Sequence, residues 1–136
     1  MDQTDQLHGL MPLCATLGMR VVRMEPAGIE LEMDWTAERC TTNGLLHGGA
    51  LMALADSAGG ACAFTNLPEG ATGTSTIESK TNFLGAVRGG VVHAVAKPLH
   101  VGSTTVVVET EVRDDDGRLV MKTTQTQIVL KPRASG

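Results

Sequence analysis

Aromatic side chains are nearly missing from this sequence: Trp35, Phe64 and Phe83 are the only three in 136 residues. A core built without them must be filled by small and β-branched side chains, with the seven methionines as adaptable filler. Cysteine is scarce as well. Cys14, Cys40 and Cys62 are an odd number without Cys-x-x-Cys spacing, which gives neither a disulfide framework nor a zinc site. The four histidines show no ligand spacing with them, so no metal is expected. Positive charge is in deficit, 11 Lys and Arg against 15 Asp and Glu, for a net −4 at pH 7. That excludes a general affinity for nucleic acid or anionic membrane, which rests on an excess of cations over phosphates, but leaves room for a local basic patch around one small anion. No run approaches the roughly 20 apolar residues of a membrane span. The start, Met-Asp-Gln-Thr-Asp-Gln, lacks the basic region and apolar stretch of a secretory signal. What remains, 42% hydrophobic and 19% charged, is the profile of a reduced, cytoplasmic, globular protein with one domain over residues 1–136.

Along the chain, Leu7, Leu10, Met11 and Cys14 recur at helical spacing, with Pro12 suited to a first turn and Gly18 to a terminator. Residues 19–25 and 29–35 flank Pro26-Ala-Gly28, and the second run alternates apolar and acidic side chains; this predicts a hairpin. A polar loop follows from Thr36 to Asn43. The one long helical candidate spans Leu45 to Thr65, where Leu51, Leu54, Ala55, Ala58 and Cys62 make an apolar stripe. A loop around Pro68-Glu-Gly70 closes it. Four strands follow at about 72–84, 91–101, 104–113 and 119–130, separated by Arg88-Gly-Gly90, Gly102-Ser103 and Asp114-Asp-Asp-Gly117. Strand runs gathered around one helix indicate an α+β fold. The first of the four is polar on both faces, which fits an edge paired with another subunit beside a polar site.

The chemistry concentrates in Asn43-Gly-Leu-Leu-His-Gly-Gly-Ala-Leu-Met-Ala-Leu-Ala-Asp-Ser-Ala58. Two glycines at a helix mouth admit a bound group close to the backbone, where free N–H groups and the helix dipole face it. Such a mouth suits an oxyanion as well as a phosphate. Asp56 lies seven residues after Gly49, nearly in line with it, among Met52, Ala53, Gly60 and Ala63. A carboxylate on that surface is costly unless paired or used. Each piece also has an ordinary reading: Gly-Gly as a turn, His47 as a cap, Asp56 as a solvated helix residue, Gly59-Gly60 as close helix packing.

Taken together, the segment resembles the active-site signature of the hotdog-fold acyl-CoA thioesterases, in which His-Gly-Gly opens a long helix and an acid follows nine residues after the His, as His47 and Asp56 do. The resemblance extends through Thr76–Leu84, Lys97-Pro-Leu-His-Val-Gly-Ser103 and Asp116-Gly-Arg118, over about residues 19–130. It is similar to the phenylacetyl-CoA, Arthrobacter-type 4-hydroxybenzoyl-CoA and 1,4-dihydroxy-2-naphthoyl-CoA thioesterases. It implies an antiparallel sheet wrapped around one central helix, paired into a homodimer and further into a homotetramer. It also implies hydrolysis of an aromatic or medium-size acyl-CoA, with coenzyme A part of the substrate and no separate cofactor. By position, the Gly48 N–H would hold the thioester oxygen and His47 would shape that loop. Asp56 from the partner subunit would be nucleophile or general base. Gly49, Gly60, Thr74, Ser75 and Thr76 would lie near the acyl group. Arg88, Lys97, His100 and Ser103 are the candidates for the coenzyme A phosphates, while His8 and His93 read as structural.

The chain departs from the pattern at three places. Relatives carry Asn or Gln six residues before the His, where this chain has Thr41, so Asn43 is the nearest amide. They often carry Ser or Thr at the place of Gly60, and Arg-Pro at Gly85-Ala86. The missing amide keeps open a non-catalytic acyl-CoA-binding protein on the same fold, and His47 beside a partner's Asp56 keeps open a dehydratase or hydratase acting on acyl chains.

Overall fold

Ile29, Leu31 and Met33 alternate with Glu30, Glu32 and Asp34, so one side of the segment is dry and the other wet. In the computed structural model, which describes residues 2–133, it forms β2 (Gly28–Asp34), paired antiparallel with β1 (Arg20–Glu25) across the Pro26-Ala27 turn. The other strands are β3 (Gly73–Phe83), β4 (Val91–Val101), β5 (Thr105–Arg113) and β6 (Leu119–Leu130), each within about two residues of its sequence-based bounds. All six make one antiparallel sheet in the order β1-β2-β4-β5-β6-β3. The polar strand β3 is thus at an edge, as its composition predicts; its residues 75–80 are all exposed.

The long helix, α3 (Gly48–Thr65), lies across one face of the sheet. Leu51, Leu54, Ala55, Ala58 and Cys62 are all buried, in one cluster with Val92, Ala94, Ala96, Val106, Val108 and Val112. The small sheet residues let the helix approach closely, and cutting Leu54 to Ala would cost about 2–5 kcal/mol. The helix starts three residues later than the sequence suggests. Leu46 is held extended by its N–H to the Val87 carbonyl, 2.9 Å, and a bridge to Cys40, so winding begins only after His47.

The N-terminal helical segment is two pieces, α1 (Gln3–Leu10) and α2 (Pro12–Thr16). Pro12 takes the first helical position, as expected, but it also drives Met11 out of the helical region, to φ −129 and ψ 88. Gly18 ends the segment at φ +65. Leu7 and Cys14 anchor the pair in the core, and the His8 Nε2–H donates to the Met19 carbonyl at 2.7 Å, a structural role.

Candidate active site

The mouth of α3 is assembled locally. Thr42-Asn43-Gly44-Leu45 is a tight turn with Asn43 at φ +63 and Gly44 at φ +69, values that favour Asn and Gly. The Thr41 N–H donates to the Leu45 carbonyl at 2.8 Å, the His47 N–H to Arg39 at 2.9 Å, and the Trp35 indole to Gly44 at 2.9 Å. These bonds aim His47 at the helix start. Its carbonyl accepts from Ala50 and Leu51, and its Nδ1 accepts from the Gly49 N–H at 2.7 Å. Of the four first-turn donors, only the Gly48 N–H has no acceptor among the described residues. Both glycines sit close against neighbouring rings. A Cβ at Gly48 would stand 3.2 Å from the Phe83 ring, and one at Gly49 2.9 Å from the His47 ring.

Two turns on, Asp56 is exposed on the outward side of α3, in a row with Gly48, Met52, Gly60 and Phe64. Ala63, expected on this line, is buried, because the row drifts around the helix. The Asp56 Oδ1 accepts from the Gln125 amide at 3.3 Å and the Thr76 hydroxyl at 3.5 Å. Behind them, the Gln127 amide donates to Thr76, and Thr74 donates to the Gln127 oxygen at 3.1 Å. Gln125 and Gln127 are each 1% exposed. The residues of the sequence segment did not suggest them. The signal was in β6, where two amides occupy the inward parity between Met121, Thr123 and Val129.

Beside Asp56 opens a cleft of about 370 Å³. Asp56, Gly60, Thr74, Ser75 and Thr76 line it, so four of the five sequence-derived acyl-site candidates meet there; Gly49 stays at the helix mouth. A Cβ at Gly60 would meet nothing within 4 Å, so its bare backbone adds room. The remaining wall is mostly apolar, with Leu7, Leu10 and Met11 from the N-terminal segment, Met24 from β1 and Ala61 and Phe64 from α3; Thr65 and Gln127 add polar points. The part played by α1 was invisible in the sequence, since nothing in its spacing says what it covers.

The coenzyme A candidates do not converge within one chain. Arg88 borders a depression with Asp114, Asp115, Asp116 and Arg118 at one end of β4. Lys97 lies on the outer face beside Glu109 and Glu111. His100 and Ser103 flank the opposite turn, about 30 Å from Val91 along the strand. Elsewhere, His93 bridges Asp115 at 2.9 Å and Glu32 at 3.4 Å, as a structural residue would, and its hydrogen bond holds the Asp115 carboxyl below the usual range. Arg20 does the same to Asp34. Burial pushes the Cys62 thiol up to about 11 and raises Cys14 as well, so neither is a ready nucleophile. Among the described residues there is no group of three or more metal-ligating side chains, and no helix is long and apolar enough to cross a membrane.

Comparison with known proteins places this geometry. Residues 43–121, the span from the turn before His47 into β6, match the model of the thioesterase superfamily. The chain is 33% identical over 117 residues to the 1,4-dihydroxy-2-naphthoyl-CoA hydrolase of Escherichia coli, covering 84% of this chain and 85% of that one. It is 34% identical over 106 residues to the proofreading thioesterase EntH of Klebsiella pneumoniae, covering 78% and 77%. The crystal structure of thioesterase HI1161 from Haemophilus influenzae superposes with a TM-score of 0.87 at 26% identity, covering 96% of this chain and 92% of that one. The helix in its antiparallel wrap is therefore the hotdog fold, and the chain belongs to the thioesterase superfamily, as a hydrolase of acyl-CoA thioesters.

Proposed function

We propose that this enzyme hydrolyses an aromatic or medium-size acyl-CoA thioester at a site shared between two copies of the chain. The observation that carries the reading is the spacing on α3. The unpaired Gly48 N–H and the Asp56 carboxylate are eight residues apart, about 12 Å along the helix, too far to act on one carbonyl. A two-fold axis brings Gly48 of one chain to the partner's Asp56. It passes beside Met52, midway between them and 42% exposed, and along the unpaired edge of β3. A homotetramer would pair two such dimers, and the free thiols suit a cytoplasmic setting.

In this site the thioester oxygen accepts from the Gly48 N–H, whose position the His47 cap fixes. As general base, Asp56 takes a proton from water while the water oxygen attacks the carbonyl carbon. Charge gathers on the carbonyl oxygen, facing a donor that needs no reorganisation. The C–S bond then breaks, and the coenzyme A thiolate takes up the proton. As nucleophile, Asp56 instead attacks the carbonyl carbon and expels the coenzyme A thiolate to form a mixed anhydride. Water then hydrolyses the anhydride to release the acid and restore the Asp56 carboxylate, with the proton going to the thiolate. Either route uses the same placement. Asn43 stands at the tip of the turn ahead of His47, where an amide could reach the carbonyl or water of a bound substrate.

The acyl group occupies the cleft beside Asp56. Its volume and apolar lining suit a ring or a chain of moderate length, and the naphthoyl group named for the Escherichia coli relative belongs to that range. Arg88, Lys97, His100 and Ser103 remain the phosphate candidates. Their spread requires that a single coenzyme A use only some of them or draw on more than one chain.

The test is complementation. Gly48→Pro and Asp56→Ala chains, each inactive alone, are mixed, unfolded and refolded together, and coenzyme A release is followed on phenylacetyl, hydroxybenzoyl, naphthoyl and aliphatic thioesters. A shared site restores about a quarter of the parental rate, because half the dimers are mixed and each holds one intact site. A mixture as dead as its parts would refute the shared site. Binding without turnover by the parent chain would favour the acyl-CoA-binding alternative.

A further inference from the structure

We propose that Gln125 is a positioning residue for the reaction and that Gly59 is glycine so that the Gln125 amide can reach Asp56. The inference rests on the reading of Asp56 as the reacting acid. Strand β6 turns Met121, Thr123, Gln125, Gln127 and Val129 toward α3, all buried. An amide in the middle of that row is a poor core residue, and this one is poorer than most. Its Oε1 is buried with no hydrogen-bond partner among the described residues. What the amide does have is a donor aimed at Asp56, with Nε2 3.3 Å from Oδ1.

Thr76 gives its hydroxyl to the same oxygen, at 3.5 Å, and is itself held by Gln127. Both donors therefore fall on Oδ1. Oδ2 receives no hydrogen bond from the described residues, which leaves it as the oxygen that meets water or the thioester carbon. Fixing one carboxylate oxygen and sparing the other sets the angle of attack. The helix makes room for this arrangement. A Cβ on Gly59 would collide with the Gln125 amide, so any other residue there pushes the donor off Asp56. The neighbouring Gly60 has open space around it, so the two glycines of the pair serve different purposes.

Gln125→Met keeps the length and removes the donor together with the stranded oxygen. We expect kcat to fall about ten- to a hundredfold, KM to stay within about twofold, and Tm to hold or rise. Gly59→Ala displaces the amide and lowers kcat in the same way. Adding it to Gln125→Met costs little more, since the methionine end can shift. Asp56→Asn is measured alongside. If it abolishes turnover while Gln125→Met keeps the parental kcat, the positioning role is wrong and the acid's role stands. If Asp56→Asn keeps turnover, the reading of Asp56 fails and this inference with it. A kcat loss matched by a fall in Tm, or losses from Gly59→Ala and Gln125→Met that multiply, would make Gln125 a fold residue only and overturn the proposal.

Discussion

The two working points of α3 are built by opposite means. The mouth at Gly48 is a local construction, in which a tight turn, a capping imidazole and two glycines within eight residues leave one N–H unpaired among the described residues. The region around Asp56 is a long-range construction, with donors from β6, a hydroxyl from β3 and an apolar wall from the N-terminal helices. Local geometry is written in short sequence motifs, whereas long-range geometry depends on which strands become neighbours. The mouth should accordingly tolerate changes in the core and fail abruptly to changes in its own backbone. The Asp56 end should respond in graded fashion to residues scattered through the chain.

The largest effect falls on the carboxylate itself. Asp56→Ala should reduce kcat by about 10²–10⁴, the usual worth of a placed acid or base, while the oligomer measured by light scattering stays unchanged. A near-parental kcat would remove Asp56 from the reaction. Next is the mouth, where Gly48→Pro deletes the one unpaired N–H and nothing else from the backbone. Proline is well accepted at a first helical position, and His47 is already extended at φ −62 and ψ 132, as a residue before proline must be. Phe83 has to yield a little, which its half-exposed ring can do. The expected loss is about 10²–10³ in kcat, the worth of one oxyanion donor, with circular dichroism unchanged. A loss confined to stability would separate the mouth from the chemistry.

A smaller and selective effect is expected in the cleft. Gly60→Thr puts a side chain into open space on the cleft wall. The bulkiest accepted thioesters should lose about tenfold in kcat/KM, in line with the 1–3 kcal/mol that a methylene-sized misfit is worth. Short acyl groups should change little. Equal losses across the series would mean that the acyl group lies elsewhere, and Gly60→Ala, which favours the helix, controls for stability.

The same contrast explains how much could be read from the sequence. Strands β2, β4, β5 and β6 announce themselves by alternation and by the glycines between them, and β3 by being polar on both faces. The stripe of α3 is equally plain. Its start lies later than the sequence suggests because Leu45 and Leu46 are good helix formers, while the distant Val87 carbonyl and the bridge to Cys40 keep Leu46 extended. His47, Gly48, Gly49 and Asp56 stood out as one motif. Gln125 and Gln127 did not, for their significance arises only when β6 is laid beside α3. The wall formed by Leu7, Leu10 and Met11 was hidden for the same reason, and so was the scatter of Arg88, Lys97, His100 and Ser103 along the sheet.

Asn43 gives the finest test, because two explanations compete for one residue. As an amide near the helix mouth it would touch the carbonyl or the attacking water. As a turn residue it is there because φ +63 suits Asn better than most side chains. Both fit what is seen: the turn it heads is tied down at Thr41, Gly44 and Leu45, while the Asn43 side chain makes no hydrogen bond among the described residues and is left free for a substrate. Two substitutions separate the roles. Asn43→Gly keeps the turn and removes the amide; Asn43→Ala removes the amide and adds about 1 kcal/mol of left-handed strain. If the backbone alone matters, Asn43→Gly should keep kcat within about twofold, and Asn43→Ala should lower Tm by a few degrees. If the amide takes part in the reaction, both should lose kcat alike, and the mouth would no longer be a purely local, backbone-built half of the site.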